Sequence, residues 1–194
     1  MKKILLLLPV AAMLVSSCGT ETETKKDSIP DTVKVSETTR PQYLKAVTDA
    51  ETKLRASTTF DARLAMTAIK AYNDYANFFP KDTLAPEFLF RAADLAQGTH
   101  NYKQATIFLE KIIAQYPEYP RHADACFVAA YVYDSPLEKQ GGEVRAKELY
   151  EFIIKKYPKS PYADQAKTLL EYIGVPDSVM LDRIVKKGKA EEKQ

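Results

Sequence analysis

A thirteen-residue pattern occurs three times in this chain, at Ala68–Pro80, Ala105–Pro117 and Ala146–Pro158. Each copy opens on alanine, carries a large residue four places later (Tyr72, Leu109, Tyr150) and another after seven (Tyr75, Ile112, Ile153), and closes on an aromatic residue followed by proline. Spacings of four, seven and eleven fall on one face of a helix. Proline cannot continue that helix, and it disfavours helical geometry in the residue before it, so every copy contains its own stop. The closing prolines are 37 and 41 residues apart. A period of this length points to stacked helical repeats rather than to one large enzyme core.

The rest of the chain reads around these copies. Pro41 can begin a first helix whose periodicity covers Tyr43–Arg55, and Phe60–Phe79 is the next, with Asp61 or Thr59 as its cap. The following helices are expected over Glu87–Gln97, Tyr102–Tyr116, Arg121–Asp134, Val144–Tyr157 and Tyr162–Ile173, the last closed by Gly174. The loop ending in Gly141-Gly142 adds about three residues relative to the preceding pair and reads as a hinge between helices. A final helix over Asp177–Lys187 is placed to cover the end of the stack, and residues 188–194 form a charged tail.

The first 17 residues have a basic start at Lys2 and Lys3, then a mostly apolar run from Ile4 to Val15 that is too short to span a membrane. Val15-Ser16-Ser17-Cys18 resembles a bacterial lipobox. That resemblance implies cleavage before Cys18, acylation of its thiol and new amino terminus, and a membrane anchor of several acyl chains. Residues 18–40 are polar, mixed in charge and without helical periodicity, as expected of a tether. The helical domain is expected to occupy residues 41–187. Without Lys2 and Lys3 the basic residues fall from 28 to 26 and equal the 26 acidic ones, which leaves no electrostatic footprint for nucleic acid.

Counted back from Pro117, Ala105 falls on the second-helix alanine of a 34-residue unit, Tyr102 on the aromatic position before it and Ala93 on the small first-helix position. The pattern resembles the tetratricopeptide repeat over roughly residues 43–174, with Tyr131 at the small position of the third unit and Asp134 at its aromatic one. The form Tyr-Pro-x-Ser-Pro-Tyr-Ala-Asp at Tyr157–Asp164 is similar to repeats of the BamD/ComL outer-membrane assembly lipoproteins and, less closely, of the YbgF-type proteins of the Tol-Pal system. The resemblance implies an all-α, right-handed solenoid of helical hairpins with a capping C-terminal helix. It further implies an outer-membrane protein, lipid-anchored at Cys18 on the periplasmic face, with envelope proteins and the β-barrel assembly machinery as partners. The first helices of each pair would line a concave surface through Glu87, Phe90, Asp94, Val128, Val132, Thr168 and Tyr172.

No catalytic constellation stands out. His122, Asp124 and Cys126 are metal-ligand types, but spacings of two on a helix point to different faces, so no metal site is expected, nor any cofactor. Cys126, between Ala125 and Phe127, reads as a buried small residue, and His100 sits alone in a turn. With two histidines and no nucleophile elbow the chain is not expected to be an enzyme. A solute- or glycan-binding lipoprotein of a nutrient-uptake system is the alternative to a scaffold. It is disfavoured by the absence of long insertions and of tryptophan.

Overall fold

The computed structural model describes residues 39–135 and 142–175, together with Ser178, Val179 and Val185. The signal segment, Cys18, most of the expected tether, most of the expected final helix and the tail lie outside the described residues. The described chain is helical throughout: α1 (Thr39–Ala56), α2 (Ala62–Phe78), α3 (Ala85–Gly98), α4 (Tyr102–Gln115), α5 (His122–Asp134), α6 (Gly142–Lys156) and α7 (Tyr162–Leu170). The first helix begins at Thr39, two residues before Pro41 and inside the stretch expected to be tether. The last is shorter than its periodicity suggests, because Glu171–Gly174 turns away and Gly174 adopts a left-handed φ of 69°.

The aromatic-proline stops work identically in all three copies. Phe79, Tyr116 and Tyr157 each donate a last helical hydrogen bond to the residue four before, at 2.8, 2.9 and 2.8 Å. Their carbonyls then accept from Asp82, Tyr119 and Ser160, and the carbonyls of those residues accept from Ala85, His122 and Ala163, all at 2.9–3.0 Å. Two consecutive tight turns therefore follow each stop and deliver the chain into the next helix with the same register. At the other end of α2, Asp61 caps the helix by accepting from the amides of Arg63 and Leu64.

Each helix packs on its neighbours in sequence, and α7 also touches α5. The opening alanines Ala68, Ala105 and Ala146 are fully buried, as are Tyr75, Ile112 and Ile153. Small residues let the helices approach closely, and each large one buries enough apolar surface to contribute about 1.5–3 kcal/mol. Side-chain bonds link α1 to α3 (Glu51 with Arg91), α2 to α4 (Asn77 with Lys111) and α4 to α6 (Glu110 with Arg145). Odd- and even-numbered helices thus form two rows. The first helix buries only Val47 and Ala50, while Gln42, Lys45, Asp49, Thr52 and Lys53 stand exposed.

The third pair corrects the expected register. Ala130, not Tyr131, takes the place of Ala93: it is fully buried and lies 37 residues on, whereas Tyr131 is 60% exposed. The spacing set by the turns after Pro80 and Pro117 persists through α5. The extra length falls after that helix, where seven residues join α5 to α6 against three between α3 and α4.

Gly142, expected as part of a hinge, is the first residue of α6 and a close-packing position, since a Cβ there would collide with the backbone carbonyl of Tyr133. Gly98 has room, its nearest neighbour being the Phe60 ring at 3.8 Å. Gly142→Ala should cost about 1–3 kcal/mol, as overpacking does. Gly98→Ala should be neutral or stabilise by up to about 1 kcal/mol through helix propensity. Urea unfolding of the two variants checks both.

Candidate binding surface

Along the row of odd-numbered helices, charge and ring contacts join one pair to the next. Arg91 on α3 donates from Nε to Glu87 (3.0 Å) and from an Nη to Glu51 on α1 (2.7 Å), and Glu51 also accepts from the Tyr72 hydroxyl (2.8 Å). Glu87 accepts in turn from Tyr119 (2.6 Å) and pairs with Arg121 at 3.5 Å. The Arg121 guanidinium lies 3.9 Å from the centroid of the Phe90 ring and donates to Asp124 (3.1 Å). Burial would raise the Glu87 carboxyl, but the bonds from Tyr119 and Arg91 and the charges of Arg91 and Arg121 outweigh it and hold it below the usual carboxylate range. Desolvation and the bond to Glu51 push Tyr72 up to about 12.

This network decides which of the expected concave-face residues can meet a partner. Glu87 is already engaged on both oxygens. Phe90 is 3% exposed beneath Arg121 and Val132 is 2% exposed, so neither is available. Asp94 and Thr168 are exposed, and Val128 and Tyr172 are half-buried. Burial raises the Asp94 carboxyl, Arg121 partly offsets that, and Glu87 adds to it. The register correction replaces Val132 by Tyr131, which stands where Asp94 stands one pair earlier. Tyr119 escaped the sequence reading because it sits in the turn after a stop, outside any periodic pattern, and Arg121, expected as the first residue of a helix, precedes α5 as its N-cap.

His122 and Cys126 share a face of α5 after all, being four apart, while Asp124 points away to Arg121. The fully buried Cys126 sulfur is 3.5 Å from His122 Nδ1, and burial pushes its thiol up to about 12, which makes it unreactive. The Nε2–H of His122 donates to the Ile113 carbonyl (3.2 Å), leaving Nδ1 to accept from the Tyr157 hydroxyl (2.8 Å). One neutral imidazole therefore ties the end of α4, the start of α5 and the end of α6. Among the described residues no three His, Cys, Asp or Glu side chains group so as to hold a metal ion. His100 adopts a left-handed φ of 58° in the α3–α4 turn, 3.1 Å from the Tyr102 hydroxyl.

No protein-family model matches the chain, and no curated protein matches it. No helix of the described residues is long and apolar enough to cross a membrane.

Burial lowers the pKa of His122, Lys156 adds to this, and the Ile113 carbonyl and Glu118 oppose it. A base with a depressed folded pKa binds fewer protons folded than unfolded, so its share of stability is complete above the ordinary value of 6.5 and is lost as pH falls below it. Melting temperature should therefore fall from pH 7 to pH 5, and His122→Ala should flatten that slope; thermal melts across this range measure it. Separately, the buried Tyr150 hydroxyl has no hydrogen-bond partner among the described residues, whereas that of Tyr72, at the same position two pairs earlier, has Glu51. Tyr150→Phe should leave stability unchanged or raise it, and Tyr72→Phe should lower it by about 1 kcal/mol, as denaturant titration would show.

Proposed function

We propose that the chain is a lipid-anchored tetratricopeptide scaffold of the bacterial outer membrane, held at Cys18 on the periplasmic face and joining envelope proteins, the β-barrel assembly machinery among them. The observation that carries this reading is the recurrence of side-chain bonds at about one repeat length. Glu87 meets Tyr119 after 32 residues, Asn77 meets Lys111 after 34, and Glu110 meets Arg145 and His122 meets Tyr157 after 35. The first three of these bonds join one hairpin to the next, and the fourth joins the two helices of the third hairpin; bonds between successive hairpins are what a stack would make. Such stacks offer long surfaces for extended or helical partners.

The sequence supplies the rest of the support. The lipobox-like Val15-Ser16-Ser17-Cys18 precedes a polar tether and then the helical domain. On the odd-helix row, Asp94, Tyr131, Thr168 and Tyr172 are the side chains left open to a partner, and Glu51, Glu87, Arg91 and Arg121 stiffen the surface that presents them. The exposed acid and the two tyrosines suit polar, aromatic-rich recognition rather than a deep solute pocket.

A mild-detergent pull-down of the C-terminally tagged protein from its native envelope, with Cys18→Ala alongside and mass spectrometry of both, tests the proposal. Recovery of β-barrel assembly components with the wild-type chain, reduced at least tenfold for Cys18→Ala, is the expected result. Enrichment of a different complex would overturn the assembly role, and unchanged membrane retention of Cys18→Ala would overturn the anchor.

A further inference from the structure

The even-numbered helices meet along two seams that differ in one respect. Between α4 and α6, Arg145 grips Glu110 with both ends, Nε to Oε1 at 2.8 Å and Nη2 to Oε2 at 2.8 Å. The equivalent positions one pair earlier, 37 residues before Glu110 and 41 before Arg145, are Asn73 and Gln104. No hydrogen bond joins these two. They instead line a cavity of about 470 Å³ between α2 and α4, together with Met66, Thr67, Ile69 and Lys70.

The rim of this groove is apolar and cationic. Met66 is 64% exposed, and so to 58% is Ile107, which lies on the α4 face that carries Gln104 and Lys111. Lys111 is half-buried and bonds only the amide oxygen of Asn77, at 2.6 Å. Among the described residues no carboxylate pairs with Lys111, and Lys70 holds Asp74 on its own helix. A partly desolvated ammonium without an anion beside it calls for one from outside, and the neighbouring methyl groups call for an apolar side chain.

We infer that the α2–α4 groove docks an acidic amphipathic segment of a partner protein, with an apolar anchor between Met66 and Ile107 and a carboxylate on Lys111. Asn73 and Gln104 supply donors and acceptors for the segment's polar groups. The inference rests on the scaffold reading only in taking the occupant to be a protein; it requires neither the lipid anchor nor the assembly machinery. It also gives the protein a second surface, on the row opposite to Asp94 and Tyr131.

The test uses the purified full-length chain and two labelled fourteen-residue peptides, one of glutamates with leucine at every third or fourth place, the other with lysine for each glutamate. Fluorescence anisotropy should show saturable binding of the acidic peptide and at least tenfold weaker binding of the basic one. Ile107→Glu and Lys111→Glu should each weaken the acidic peptide at least tenfold. The deciding variant is Asn73→Glu with Gln104→Arg, which installs across this seam the pair that closes the next one. It should abolish binding with the melting temperature unchanged or raised. Undiminished binding to that variant, equal binding of the two peptides, or no binding of the acidic one overturns the inference. So would self-association of the chain that the variant removes, which would assign the groove to a second copy.

Discussion

The structure depends on how each aromatic-proline stop releases its helix. The proline ends the helical hydrogen-bond ladder, but the aromatic residue before it still donates one last bond, and two turns with the same donors and acceptors follow. The bonds common to all three turns join backbone groups, so the turns tolerate Lys81-Asp82, Glu118-Tyr119 and Lys159-Ser160 in the same places, with Asp82 and Ser160 adding side-chain bonds to the amides of Leu84 and Tyr162. The direction in which one hairpin hands over to the next is therefore fixed locally. Side chains are then free to differ from pair to pair, and the two candidate binding surfaces arise from those differences.

The parts of the fold governed by local rules were legible from the residues. Ala68, Ala105 and Ala146 mark buried crossing points, the prolines mark ends, and Asp61 caps its helix as its type and position suggest. The site was less legible. A connection carries no periodicity, so the length inserted between α5 and α6 was misjudged by one residue, and that single step moved the expected contact from Tyr131 to Val132. Bonds such as Arg91 to Glu51 or Arg121 over Phe90 join residues from separate hairpins, and no property of either residue announces its partner.

His122 illustrates the same division. Its equivalents in the other two turns are Ala85 and Ala163, and all three are buried. That one of them should be an imidazole follows only from what surrounds it, namely a carbonyl at the end of α4 and a tyrosine hydroxyl at the end of α6. A buried polar group of this kind is stable when each of its hydrogen-bonding positions is met, and here both nitrogens are. The hydroxyl of Tyr150, without a partner among the described residues, is the contrary case in the same pair of helices.

The outward side of α1 carries Lys45, Asp49, Thr52 and Lys53 and buries almost nothing. Another hairpin laid against it would have to strip water from four polar side chains and would gain little apolar contact in return, that of Ala56. Packing of a further helix or of a second copy on that face of α1 is thereby disfavoured.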